Sequence, residues 1–178
     1  ITPQEAIMRT EGTVFPVSDL KDYLESIMVR KESFLAEHYV GELVRTSDGK
    51  LKWRLNNDRF PLRSYDKDNA NREGCLEIFE MPSENANGEI AHGRYIAGID
   101  PIDADSGTSL FSIQVMDLFT DRIVAEFSGR PRLAEEAYEI SLRLLEFYNA
   151  VANYEKNLKG LFSYFDKKNA LFRLCDTP

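Results

Sequence analysis

Arg94-Tyr-Ile-Ala-Gly-Ile-Asp100 and Ala150-Val-Ala-Asn-Tyr-Glu155 are two apolar runs that each stop on a carboxylate. Both read as buried strands, too short for helices and closed by a polar residue. A strand that ends on an acid delivers it to a sheet edge, where ligands of open α/β sheets gather. Two such acids on neighbouring strands can share a divalent cation, an arrangement that many enzymes use to cut phosphodiesters.

Between and after these runs the pattern is regular. Strand-like segments cover 95–100, 109–117 and 122–128, and the turn Phe119-Thr120-Asp121 makes the last two an antiparallel hairpin. Ala134, Ala137, Tyr138, Ser141, Leu145 and Tyr148 recur at helical spacing, with Leu133, Ile140, Leu144 and Phe147 widening the apolar stripe. That helix leads into the second acid-ended strand. A shorter helix over about 158–168 and a final run from Ala170 to Cys175 follow, giving the order β-β-β-α-β-α-β.

Upstream, Ser83 to Gly93 is a polar loop and marks a domain boundary. Before it, Cys75 to Glu80 reads as a strand ended by Met81-Pro82, and residues 56–73 as a long Asn- and Asp-rich loop. Tyr39 to Thr46 and Lys50 to Leu55 flank Ser47-Asp48-Gly49, and Asp-Gly favours the tight turn of a hairpin. Ser18 is placed to cap a helix carrying Leu20, Leu24, Ile27, Lys31 and Phe34. Thr2-Pro3-Gln4-Glu5 starts an earlier, short helix that Gly12 and Phe15-Pro16 interrupt.

With 178 residues, 43% of them hydrophobic, the chain can bury a substantial core. No apolar run reaches the roughly 18 residues that span a bilayer, and no secretory signal is visible, so no membrane partner is expected. A net charge of −8 argues against holding nucleic acid by charge alone. Cys75 and Cys175 match no metal spacing and read as buried thiols of a reducing compartment, and the isolated His38 and His92 make a zinc site improbable. The chain begins at Ile1 and stops at Asp176-Thr177-Pro178, and reads as a piece of something longer.

The element order, with the first acid on the first strand of the meander and the second on the fourth strand, resembles the RNase H-like nuclease fold. More narrowly, Tyr95-Ile-Ala-Gly-Ile-Asp-Pro101 followed by Asp105-Ser-Gly-Thr-Ser109 resembles the nuclease domain of the large terminase subunit of tailed bacteriophages. Tyr154-Glu155-Lys-Asn157, followed by Gly160, resembles that family's second acidic motif, and Thr2-Pro-Gln-Glu-Ala6 with Gly12-Thr-Val-Phe-Pro16 resembles its segment between ATPase and nuclease. The resemblance covers about 94–178 well and about 1–20 weakly.

It implies an α/β RNase H-like mixed sheet: a three-strand antiparallel meander plus parallel strands, flanking helices, an N-terminal helical segment and a β-hairpin appendage. Residues 1–37 are then a helical linker after an absent ATPase domain, 38–93 a hairpin and loop subdomain, and 94–178 a nuclease core truncated at its C-terminus. It implies a two-metal endonuclease that uses Mg²⁺ or Mn²⁺ to cut concatemeric double-stranded DNA in the bacterial host cytoplasm. The portal protein and the small terminase subunit are its partners in the full-length protein. No G-x-x-x-x-G-K-[ST] loop is present, so the chain is not the motor, and the family's third acid is expected beyond Pro178.

On this reading Asp100 and Glu155 are the catalytic, metal-binding acids. By themselves they also read as a turn cap before Pro101 and a solvated glutamate beside Lys156. Asp105 and Asp103, in the loop after Asp100, are further candidate ligands, directly or through water, although Asp-Ser-Gly is itself turn chemistry and turn formation is the simpler reading of both. Gly107, Thr108 and Ser109 allow a phosphate close to the backbone or form a β-turn, and Asp166 and Asp176 are late acids, most simply solvated. Lys156, Lys159 and Lys167, with Lys168 and Arg173, form a basic cluster that fits phosphate contact or a solvated helix face. Lys50, Lys52, Trp53 and Arg54 mix charge and aromaticity on the hairpin, for DNA or partner contact or, for Trp53, a core position. Two rival readings remain: a non-catalytic module docking onto the portal or small terminase subunit, and a resolvase or transposase of the same fold.

Overall fold

A computed structural model describes residues 17–29, 39–56, 72–156 and 158–175. The chain forms two units, Ile1–His38 and Tyr39–Pro178. In the first, helix α1 spans Val17–Val29 and carries Asp19 in its first turn, where a carboxylate complements the helix dipole. Ser18 lies inside that turn rather than before it. The expected helix start at Thr2, the reach to Lys31 and Phe34, and most of the loop over 56–73 fall outside the described residues.

In the second unit the described residues form seven strands: β1 (Tyr39–Arg45), β2 (Leu51–Leu55), β3 (Cys75–Ile78), β4 (Tyr95–Asp100), β5 (Phe111–Asp117), β6 (Arg122–Gly129) and β7 (Val151–Tyr154). They make one mixed sheet in the order β2-β1-β3-β6-β5-β4-β7. Every neighbouring pair is antiparallel except β4 and β7, which run parallel. A parallel pair needs a crossover, and helix α2 (Ala134–Phe147) provides it. Helix α3 (Lys159–Lys167) follows β7.

The β1–β2 hairpin is not set apart from the rest. β3 pairs with β1 on one side and β6 on the other, so residues expected as a subdomain over 38–93 continue the same sheet. Close backbone approach makes the join: Gly74, at φ +68, sits where an added Cβ would overlap the Ser128 carbonyl. The final run also differs from a strand. Leu171–Arg173 is a 3₁₀ turn, and Leu174 alone bridges in parallel to Ala152. That turn delivers the Arg173 guanidinium to the carbonyls of Leu145 (3.1 Å) and Ala150 (3.2 Å), at the end of α2.

Period-2 alternation sorts the sheet into two faces. Tyr95, Ala97 and Ile99 of β4, and Phe111, Ile113 and Val115 of β5, are buried in one core with Tyr138, Leu142 and Leu145 of α2. Ile96, Gly98 and Asp100 alternate with them and are exposed, as are Gln114 of β5 and Asn153 of β7. Leu133, expected in the apolar stripe of α2, is 41% exposed because it precedes the helix. Helix α3 is locked to α2 at Glu139, which accepts from the Tyr164 hydroxyl (2.6 Å) and Arg143 Nε (2.7 Å). Burial alone would raise the Glu139 carboxyl, but those two donors outweigh it and hold it below its ordinary value.

Candidate metal site at the carboxyl edge of the sheet

Asp100 is the last residue of β4 and pairs with Ser112 of β5. On its other side the parallel ladder to β7 ends at Ile99↔Tyr154, so Glu155 is the next residue along, level with Asp100. Ile99 and Tyr154 are buried while Asp100 and Glu155 are exposed, so alternation sends both acids to the open face. Adjacent strands lie about 4.8 Å apart. The two carboxylates therefore rise from neighbouring backbone positions on one face of one sheet edge. The row continues through Ser112 and Ser128, whose hydroxyls are 3.1 Å apart.

The loop after Asp100 is tied down on both sides. Pro101 and Ile102 are buried beneath it. Asp105, a candidate ligand by sequence, accepts the Ala134 N–H at the start of α2 on its Oδ1 (2.8 Å). Asp103 Oδ1 accepts the Gly160 N–H in α3 at 2.6 Å. Arg130 donates from Nη2 to the Ala104 carbonyl (2.7 Å) and from Nη1 to the Ser109 carbonyl. Gly107, at φ +134, passes under the same guanidinium, so the Gly107-Thr108-Ser109 segment is a clamped turn. Tyr138 donates to the Ile102 carbonyl, and its hydroxyl is pushed up to about 12, by burial first and then by Asp103.

The basic cluster divides in space. Lys156 and Lys159 flank the carboxyl edge and are exposed, with the Lys156 ammonium 6.0 Å from the centre of the Tyr154 ring. Lys167 is in the last turn of α3, about 12 Å along the helix from Lys159. Lys168 lies 3.8 Å from Glu139, and Arg173 is occupied by carbonyls. Asp166 is an exposed residue of α3, and Asp176 falls outside the described residues. Of the hairpin residues, Arg54 pairs with Glu42 at 2.7 Å, and Trp53 packs against the core opposite Leu43. Cys75 is buried and Cys175 half-buried, and neither is in a disulfide.

Hard divalent cations take carboxylate oxygens and keep several waters, so Asp100 and Glu155 suit Mg²⁺ or Mn²⁺ by donor type and by their open exposure. Among the described residues no three His, Cys, Asp or Glu side chains gather around one point. The sequence reading missed three residues of this edge: Arg130, and Asp103 and Asp105 as caps of the helices. A faint signal existed, since both helices begin after a leucine with no local side-chain cap. No helix among the described residues is long and apolar enough to cross a membrane. No family model matches the chain, and no curated protein matches it in sequence.

Proposed function

We propose that this chain carries the nuclease of a phage-type DNA-packaging terminase, an RNase H-like endonuclease that cuts concatemeric double-stranded DNA with two Mg²⁺ or Mn²⁺ ions. One observation carries the reading: β4 and β7 run parallel side by side, β4 ends on Asp100 and Glu155 directly follows β7, and both acids are exposed. The antiparallel meander β4-β5-β6, the crossover α2 and the return of β7 beside β4 supply an element order compatible with it. Double-stranded DNA is the substrate, the portal protein and small terminase subunit are the partners of the whole assembly, and the host cytoplasm is the setting.

Asp100 and Glu155 would hold the cations, and the exposure of both side chains would leave room for a phosphodiester beside them. When bound, such ions lower the pKa of an attacking water and take up charge on the departing 3′ oxygen. Lys156 and Lys159, beside the acids, meet flanking phosphates, a local grip on a chain whose net charge is −8.

A plasmid-nicking assay in Mn²⁺ tests the reading. Metal-borne charge stabilisation is worth several kcal/mol, so Asp100→Asn and Glu155→Gln should each slow nicking by about 100-fold or more while the fold survives. If either variant nicks as fast as the parent, the assignment falls and the docking-module reading replaces it.

A further inference from the structure

The two acids are not placed by the sheet alone. The β4–β7 ladder stops at Ile99↔Tyr154, so Glu155 is the first residue past its last rung. Helix α3 begins a few residues further on, and its start is pinned from the other loop. Leu158, at the N-cap of α3, offers no side-chain acceptor, nor does Leu133 at the N-cap of α2. Orphan N–H groups at a helix start need acceptors. Asp103 Oδ1 accepts the Gly160 N–H in α3, at 2.6 Å, and Asp105 Oδ1 accepts the Ala134 N–H in α2, at 2.8 Å. One short segment, Asp103-Ala104-Asp105, thus caps both helices that flank the edge.

The joint at Gly160 is tight. A Cβ there would overlap Asp103 Oδ1 and the Tyr138 hydroxyl, so a larger residue would push this acceptor away from the helix start. Tyr138 Oη is itself 3.3 Å from Asp103 Oδ1 and donates to the Ile102 carbonyl, which fixes the carboxylate against α2. Arg130 grips the carbonyl of Ala104 on the far side. A closed loop results: Asp100 leads to Asp103, Asp103 bonds Gly160, the chain runs back from Gly160 to Glu155, and the ladder completes the circuit.

We propose that Asp103 is a positioning residue, which sets the spacing of Asp100 and Glu155 by pinning together the two loops that follow them. Its consequence for metal binding rests on the reading of that pair as cation ligands; the pinning itself does not. The charge of Asp103 is secondary to its acceptor geometry, because a neutral oxygen at the same place can take the Gly160 N–H.

Three variants of the full chain, read by amide hydrogen exchange and by Mn²⁺ binding in electron paramagnetic resonance, test this. Asp103→Ala should speed exchange of the amides over 155–160 by about tenfold, the worth of one helix cap, while the amides of the β4–β7 ladder keep their protection. It should also weaken Mn²⁺ binding by about tenfold. Gly160→Ala should do the same, and Asp103→Asn should stay within about threefold of the parent in both readouts. Unchanged exchange over 155–160 in Asp103→Ala, or an increase spread evenly over the sheet, overturns the proposal, as does Asp103→Asn behaving like the alanine variant. If the exchange pattern is as expected but the parent binds no Mn²⁺, the pinning stands and the metal reading fails. If the parent binds Mn²⁺ and Asp103→Ala binds it equally well, the metal reading stands and the positioning role fails.

Discussion

Asp117→Asn separates the stability of this sheet from its candidate site. Asp117 ends β5 at the edge opposite Asp100 and is 2% exposed. Its Oδ2 accepts from Arg94 Nη2 at 2.7 Å, Arg94 Nε lies 3.2 Å from both oxygens, and the Phe119 N–H donates to Oδ1 at 2.9 Å. Asparagine keeps an acceptor for Phe119 but leaves the guanidinium without its counter-charge. Hydrogen bonds to a charged group are worth about 1.5–3 kcal/mol, and the upper end applies because Asp117 loses several contacts to one guanidinium at once, while Arg94, 20% exposed, can rehydrate. For a unit of this size, about 3 kcal/mol lowers Tm by roughly 10 °C. The sign with pH follows from the hydrogen bonds of Arg94, which hold the Asp117 carboxyl below its ordinary 3.8. A depressed carboxyl contributes fully above that unfolded value and loses its contribution as pH falls towards the folded one. Calorimetric scans of parent and variant should therefore differ by roughly 10 °C near neutrality and converge progressively below pH of about 4. A difference under about 2 °C at neutral pH, or one that stays constant down to strongly acid pH, would refute the reasoning.

Tyr164→Phe removes the 2.6 Å bond to Glu139, which retains Arg143 at 2.7 Å, so the loss should be about 1 kcal/mol, seen as a lower urea midpoint with an unchanged slope. An unchanged midpoint would mean that this contact does not hold α3 to α2. Gly74→Ala forces a Cβ onto the Ser128 carbonyl at a positive φ, so it should cost more than about 2 kcal/mol and loosen the join of β3 to β6. Thermal melts followed by circular dichroism check this, and a neutral substitution would contradict the geometry at that join.

Sequence pattern located the elements around the candidate site because each shows its period locally. β4 alternates buried and exposed residue by residue, and α2 buries Ala134, Ala137, Tyr138, Ser141 and Leu145 at helical spacing. Long-range pairing left no comparable trace. The polar stretch over 83–93 read as a boundary, yet it is a small turn in which Asn85 Oδ1 accepts the N–H groups of Asn87 and Glu89. The sheet passes it by because β3 pairs with β6, about fifty residues on. At the site, Asp100 and Glu155 were legible as acids that end apolar runs. Asp103 and Asp105 were legible only as turn formers, since their acceptors serve helices that begin far along the chain. Lys167 and Arg173 looked close to Glu155 in sequence, but helix rise and a 3₁₀ turn carry them elsewhere.

Anomalous diffraction from crystals of the chain soaked in Mn²⁺ addresses the central claim directly, because it locates cations without requiring turnover. The account predicts Mn²⁺ peaks beside the carboxylates of Asp100 and Glu155, on the open face of the sheet, absent from crystals of Asp100→Asn. Well-ordered, open crystals with no peak between these two acids, or peaks that persist unchanged in the variant, would contradict it.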